Sequence, residues 1–506
     1  MTADTVARLL SGKHSTYPAI GAPGGRSLSY GGLATLTRDV RTTLAASGIG
    51  RSDRVAIVLP NGPEMATAFV TVAQAATTAP LNPAYRADEF EFYMSDLKAS
   101  ALVTLAGFET PARSVATKLG KAVIDIVPEP AAGAGAFRLN AASTGKVKTP
   151  EEPGPNDIAI VLHTSGTTSR PKLVQLTQLN VAASARHIGA TLGLTQQDRC
   201  LNIMPLFHIH GLIAAILSSL AAGGETVCTP GFNALKFFSW LDEVAPTWYT
   251  AVPTMHQGIL ARAERNRDVL ARHKLKFIRS SSASLPPQVM RELEETFGCP
   301  VVESYGMTEA AHQMTSNPLP PRTRKPGSVG IAAGPEVAIM GDEGELMRHG
   351  ELGEVVIRGT NVTKGYEANP EANAKAFMNG WFRTGDQGKI DEEGYLRITG
   401  RLKEIINRGG EKISPLEVDE VLLSHPAVAQ AVTFAMPHDK LGEEVAAAIV
   451  LKEGVSSTER NIRDFALERL ADFKVPRKIV ILAEIPKGAT GKLQRIGLAQ
   501  KLGISG

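Results

Sequence analysis

The apolar run Asp157-Ile158-Ala159-Ile160-Val161-Leu162 opens directly into His163-Thr164-Ser165-Gly166-Thr167-Thr168-Ser169-Arg170-Pro171-Lys172. A short apolar run closed by a glycine-bearing turn reads as a buried strand. A strand that feeds a hydroxyl-rich loop is a place to hold phosphate. Gly166 lets backbone N–H groups approach an anion, the hydroxyls of Thr164, Ser165, Thr167 and Thr168 donate hydrogen bonds, and Lys172 adds positive charge. It is not a Walker loop, because the second glycine before the lysine is missing. The plain alternative is a Ser/Thr-rich surface turn. Other strand-like runs, Val55-Ala56-Ile57-Val58-Leu59 and Ala101-Leu102-Val103-Thr104-Leu105, alternate with helical stretches, one of them from Pro287 to Phe297 and stopped by Gly298. Such alternation predicts α/β layers on parallel sheets.

The C-terminal part reads differently. Ser414-Pro415-Leu416-Glu417 is a capping box with proline at the first helical position. It opens a helix with Leu416, Val418, Val421 and Leu422, which ends before Pro426. Strand-like Ala431-Val432-Thr433-Phe434-Ala435 and Ala446-Ala447-Ala448-Ile449-Val450 follow. We expect a large domain over residues 1–402 and a small α+β domain over 403–506, joined near Gly400-Arg401-Leu402-Lys403. A glycine followed by two cations serves there as a linker or a hinge. The stretch from Val127 to Pro155 is rich in Pro, Gly and Ala and is expected on the surface.

A chain of 506 residues can hold roughly two to four domains, each with its own core. Hydrophobic residues at 43% and charged residues at 21% are ordinary for a globular protein. A net charge of +3 gives no broad electrostatic footprint for nucleic acid. No apolar run of about 18 residues appears, so no membrane span is expected. Met1-Thr2-Ala3-Asp4 lacks the plan of a secretory signal, and Gly503-Ile504-Ser505-Gly506 carries no peroxisomal tripeptide. Cys200, Cys228 and Cys299 lie far apart, which favours buried thiols in a reducing cytoplasm over a disulfide framework. The oligomeric state stays open.

Further segments carry chemistry. Glu303-Ser304-Tyr305-Gly306-Met307-Thr308-Glu309 puts a ring, a hydroxyl and a carboxylate close together, and Trp381-Phe382-Arg383-Thr384-Gly385-Asp386 puts an acid at a turn, suited to ribose hydroxyls. Gly400-Arg401-Leu402-Lys403-Glu404, Asn407-Arg408-Gly409-Gly410-Glu411-Lys412 and Pro486-Lys487-Gly488-Ala489-Thr490-Gly491-Lys492 are basic and glycine-punctuated. Taken singly, each of these last three reads more readily as a solvated turn than as a site.

In this order the set resembles the adenylate-forming superfamily of acyl-CoA synthetases, adenylation domains and luciferases, over essentially the whole chain. Within it the chain is most similar to the oxalate–CoA ligases, through stretches such as Leu59-Pro60-Asn61-Gly62-Pro63-Glu64-Met65-Ala66, Pro205-Leu206-Phe207-His208-Ile209-His210-Gly211 and Arg279-Ser280-Ser281-Ser282-Ala283-Ser284. The resemblance implies a large N-terminal α/β domain with parallel-sheet layers and a distorted β-barrel, followed by a small mobile α+β domain. It implies ATP, Mg²⁺ and coenzyme A as partners of a small carboxylic acid. Tyr305 would stack on adenine, with Ser282, Ala283, Ser284, Ser304 and Gly306 around the nucleotide, and Asp386 and Arg401 would hold the ribose. Thr308 would bind the α-phosphate, Glu309 Mg²⁺, and residues 164–172 the outer phosphates. Lys492 would meet the attacking carboxylate, where negative charge gathers in the transition state. Lys403 would be the hinge. Arg408, Gly409, Gly410, Phe473, Lys474 and Arg477 would face CoA, although a solvated basic cluster accounts for the last three equally well.

By the same resemblance the acid lies among His208, Arg279, Ser281, Ser282 and His312. These polar side chains suit a short acid with a second carboxylate, oxalate first, then malonate or another small acid; a medium-chain or aryl acid would need an apolar cavity. Arg279 paired with a core carboxylate is the structural alternative. One departure is Leu173, where the family usually has glycine after the loop lysine; a branched side chain in a closing loop implies slowed adenylation or a raised ATP requirement. No segment resembles an attached carrier domain. The competing class is a nucleotide-binding sensor without turnover.

Overall fold

The computed structural model describes residues 3–141, 147–164, 171–486 and 493–504. A seven-stranded sheet runs Phe137–Asn140, Ala122–Pro128, Ala101–Leu105, Arg54–Val58, Thr77–Pro80, Ile158–Thr164, Lys172–Thr177. Its central strands are parallel and the outermost pair at each end is antiparallel. Val55, Ala56, Ile57 and Val58 are all buried, so both faces of this sheet are covered, as parallel sheets require. The apolar run at 157–162 is therefore a strand, as expected, and it pairs antiparallel with Lys172–Thr177.

A nine-stranded sheet runs Ile331–Ala332, His312–Ser316, Val301–Met307, Phe277–Ser281, Trp248–Ala251, Arg199–Asn202, Glu225–Cys228, Pro18–Gly21, Leu28–Ser29, again parallel through its centre. Helices pack between the two sheets. In Pro63–Val72 every residue from Met65 onward is buried, because a helix that is apolar all round belongs inside. Gln178–Thr191 packs beside it in one core with Ile57, Trp248 and Phe277. The segment His210–Leu217 is a π-helix, wholly buried, a wide turn often found beside functional sites.

A five-stranded antiparallel sheet follows, made of Glu336–Met340, Gly353–Arg358, Phe377–Met378, Trp381–Ile390 and Leu396–Arg401. It is an open sheet, in the place where a distorted barrel was expected, and one of its faces buries Ile339, Val355, Ile390 and Leu396. Beyond Arg401, strands Ile406–Arg408, Glu411–Ile413, Val428–His438, Gly442–Leu451 and Lys478–Ile481 form a sheet of their own. Helices Pro415–Leu423 and Glu459–Leu467 cover it through Val418, Leu422, Ile462 and Ala466.

Three local expectations change. Only half the capping box forms: Ser414 accepts the Glu417 N–H, while the Glu417 carboxylate pairs with Lys474 at 2.6 Å. The 127–155 stretch is not all surface, since it contains the edge strand Phe137–Asn140 with Phe137 buried. Leu173 is not a loop residue. It lies in the strand opposite His163 and is buried in a cluster with Val161, Phe90 and Met94. All three cysteines are buried and free.

Candidate active site

Asp386 and Arg401 face each other across neighbouring antiparallel strands. Arg401 Nε donates to Asp386 Oδ1 at 3.1 Å, and the Tyr305 hydroxyl donates to Asp386 Oδ2. Burial and the Asp386 carboxylate push the Tyr305 hydroxyl well above its ordinary pKa, so it stays a donor. Gly306 follows because nothing larger fits: a β-carbon there would sit 1.7 Å from the His312 carbonyl oxygen.

The chain then turns through Thr308–Ala310. Glu309 is buried, and burial raises its carboxyl pKa while Tyr366, Arg401 and Lys172 oppose the rise. Tyr366 donates to Glu309 Oε1 at 2.8 Å, and Lys172 Nζ stands 4.4 Å above the Tyr366 ring. Burial lowers the Lys172 pKa, and the charges of Lys403 and Lys375 add to that. Among the described residues no group of three His, Cys, Asp or Glu could hold a metal. One buried carboxylate still fits Mg²⁺, which is commonly held by one or two carboxylates together with phosphate oxygens and water.

A second polar cluster surrounds Arg279, which is 0% exposed. Its Nη1 reaches His210 Nε2 at 3.4 Å and Thr250 Oγ1 at 3.5 Å; its Nη2 reaches His312 Nδ1 at 3.5 Å and Gln313 Oε1 at 3.4 Å. All four are neutral acceptors, Nε has no partner, and among the described residues no carboxylate pairs with Arg279. Burial lowers its pKa to about 9. Because a guanidinium only donates, its contacts assign the acceptor nitrogens of both imidazoles. His210 then carries its proton on Nδ1, 3.0 Å from Ser282 Oγ, and His312 carries its proton on Nε2. Ser282 holds φ +74°, and Ala311 and His312 hold +48° and +100°. Strained backbone of this kind clusters at ligand sites.

The other expected residues divide. Ser165, Gly166, Thr167, Thr168 and Lys492 lie outside the described residues. Thr164 ends its strand opposite Lys172. His208 is half-buried just before the π-helix. Ala283 and Ser284 are exposed, and Thr308 is half-buried. The Ser281 hydroxyl is occupied by the Ser304 carbonyl at 2.8 Å, and Ser304 Oγ meets Ser316 Oγ at 2.9 Å, so both bind their own sheet. Arg408, Lys474 and Arg477 pair with Glu444, Glu417 and Asp472, and Phe473 packs on the small-sheet core. Gly409 and Gly410 hold φ +59° and +102°, and Lys403 is exposed. His210, Thr250, Gln313 and Tyr366 were not foreseen. His210, two residues from His208, carried the one available signal.

Two stacked sheet layers, an antiparallel sheet and a separate small sheet, with these motif residues brought into contact, define an adenylate-forming enzyme. The chain belongs to the AMP-binding enzyme family, whose model matches residues 11–367, while the model of the AMP-binding enzyme C-terminal domain matches 417–492. It is 47% identical to an oxalate–CoA ligase of Arabidopsis thaliana over 99% of both chains. It is 42% identical to an oxalate–CoA ligase of Saccharomyces cerevisiae over 89% of this chain and 87% of the relative. The ATP-bound structure of MatB from Rhodopseudomonas palustris superposes with a TM-score of 0.88 at 28% identity, over 99% of each chain. The protein is thus an AMP-forming acid–CoA ligase that uses ATP and CoA and works through an acyl-adenylate. Among the described residues no helix is long and apolar enough to cross a membrane.

Proposed function

We propose that the acid is oxalate. The observation that carries this reading is Arg279, a buried cation whose partners among the described residues are all neutral. A buried charge without a counter-ion is costly, and an anionic ligand nearby would offset that cost. Arg279 polarises His210 and His312, and the Ser282 hydroxyl, 3.0 Å from His210 Nδ1, is the donor this cluster turns toward a carboxylate. The similarity to two oxalate–CoA ligases supports the same substrate.

In the first half-reaction an oxalate oxygen attacks the α-phosphorus and the bond to pyrophosphate breaks. The nucleophile is already an anion, so positioning and charge neutralisation suffice. Tyr305, Asp386 and Arg401 hold the nucleoside, Thr308 the α-phosphate, residues 164–172 the outer phosphates, and Lys492 the charge between carboxylate and phosphorus. Glu309 would hold Mg²⁺, which would supply charge neutralisation beside the phosphates. In the second half-reaction the CoA thiolate attacks the oxalyl carbon and AMP leaves, with His208 at that junction. Residues 403–506 turn about Lys403 to bring Arg408, Gly409 and Gly410 to the pantetheine arm, while Phe473, Lys474 and Arg477 meet the CoA nucleotide. The enzyme acts in the cytoplasm.

The test is pyrophosphate release with ATP, Mg²⁺ and CoA across oxalate, malonate, succinate, acetate, octanoate and 4-coumarate. A specificity constant for oxalate well above all others is expected. A preference for octanoate or coumarate overturns the substrate and leaves the ligase.

A further inference from the structure

Residues 363–367 fasten two parts of the site together. The Thr363 N–H donates to the Glu309 carbonyl at 2.7 Å, and Thr363 Oγ1 donates to the Gln175 carbonyl at 2.9 Å. Tyr366 bridges Val174, and the Glu367 N–H donates to the Leu173 carbonyl at 3.0 Å. The Glu367 carboxylate takes Gln175 Nε2 at 2.8 Å and Arg54 at 2.7 Å. This strap therefore joins the strand that begins at Lys172 to the turn that carries Glu309.

The Tyr366 side chain repeats that link. Its hydroxyl meets Glu309 at 2.8 Å and its ring lies 4.4 Å under the Lys172 ammonium. Its own backbone is held on both sides by Asn373, which accepts the Tyr366 N–H at 2.7 Å and donates to the Tyr366 carbonyl at 2.8 Å. Gly365, at φ +140°, leaves the room this needs, since a β-carbon would stand 2.8 Å from Asn373 Oδ1. The side chain is 7% exposed, so it has little freedom to leave.

We infer that Tyr366 is a positioning residue for the triphosphate, which holds the Lys172 cation and the Glu309 carboxylate at a fixed separation before ATP arrives. This rests on the reading of Lys172 as a phosphate group partner and Glu309 as the Mg²⁺ ligand. The ring and the hydroxyl have separable jobs. The ring supports Lys172 by cation–π attraction. The hydroxyl orients one Glu309 oxygen by a charge-assisted hydrogen bond. Ordering both groups in advance spares the nucleotide that entropic cost on binding.

The experiment is calorimetric titration of the full chain with ATP, once with Mg²⁺ and once with EDTA, for wild type, Tyr366→Phe, Tyr366→Leu and Glu309→Gln. Tyr366→Phe keeps the ring, so its metal-free Kd stays near that of wild type, while the tightening by Mg²⁺ shrinks by about threefold to tenfold. Tyr366→Leu also weakens metal-free ATP binding by about threefold to tenfold. Wild-type tightening in Glu309→Gln sinks the reading of Glu309, whatever Tyr366 does. Loss of tightening in Glu309→Gln, with both Tyr366 variants behaving as wild type, sinks the proposal for Tyr366. Tyr366→Phe removes a single oxygen and carries the test even if Tyr366→Leu folds poorly.

Discussion

Arg279 Nη1 lies 3.4 Å from His210 Nε2, inside a cluster that holds no carboxylate among the described residues. Its burial is therefore not the burial of an ion pair. A buried charge of this kind reduces stability, and function is the reason to keep it. Arg279→Met should raise the unfolding free energy by about 1 kcal/mol or more. The same change should lower the oxalate specificity constant by about a hundredfold, with the KM for ATP little changed. Thermal melts and initial rates on one preparation check this. A variant that melts lower and still uses oxalate normally refutes it.

The hydrogen-bond chain from Arg279 through His210 ends at the Ser282 hydroxyl, on a residue held at φ +74°. Glycine adopts that conformation freely. Ser282→Gly should therefore fold at least as stably as wild type while losing the terminal donor. The expected result is a KM for oxalate raised by about tenfold, with an unchanged melting temperature. His210→Ala should raise the same KM and leave ATP binding intact. Normal oxalate kinetics in Ser282→Gly would show that the acid does not meet this chain of donors.

The strands and the split between α/β and α+β parts were legible because apolar runs and turn residues report local structure directly. Tyr305, Asp386 and Arg401 were legible as motif members, but their contact spans 81 positions in the case of Tyr305 and Asp386 and depends on how two sheets meet. Thr250 and Gln313 gave no signal. Thr250 reaches Arg279 because their strands align in parallel register, and Gln313 because its strand turns back beside the strand that contains Gly306. Tyr366 was hidden for the same reason: an aromatic residue after a glycine looks like core until Glu309 and Lys172 are placed around it. Ser281 shows what a motif leaves out, since a serine in a strand can spend its hydroxyl proton on a neighbouring carbonyl.

Leu173 gives a prediction opposite in sign to the one its sequence position implies. Glycine at this place would relieve a loop, yet the leucine side chain fills a cluster with Phe90, Met94 and Val161. Deleting it leaves a cavity and adds backbone freedom to a strand. Leu173→Gly should lose about 3 kcal/mol or more of stability, with no gain in the adenylation rate. Urea unfolding and single-turnover pyrophosphate release measure the two quantities. A faster rate with unchanged stability would restore the loop reading.

Glu303 carries the last prediction. It faces Ser280 across parallel strands, and its Oε1 accepts the Leu285 N–H at 2.8 Å, which ties down the turn that begins at Ser282. Its second oxygen and the Ser280 hydroxyl both lack partners among the described residues. Burial, with a smaller contribution from Glu420, raises the carboxyl from the ordinary 4.5 to about 8. A raised carboxyl pKa means that the folded state binds more protons than the unfolded state between those two values, so this group lowers stability progressively as pH rises through that window. Glu303→Gln keeps the acceptor for Leu285 and cannot ionise. The unfolding free energy of the variant minus that of wild type should therefore grow from pH 5 to pH 8, at most by ~1.4 kcal/mol per unit of pKa separation, and level off above that. Denaturant unfolding at half-unit pH steps reads this difference. A flat difference across the window would mean that Glu303 ionises in the fold as readily as it does in water.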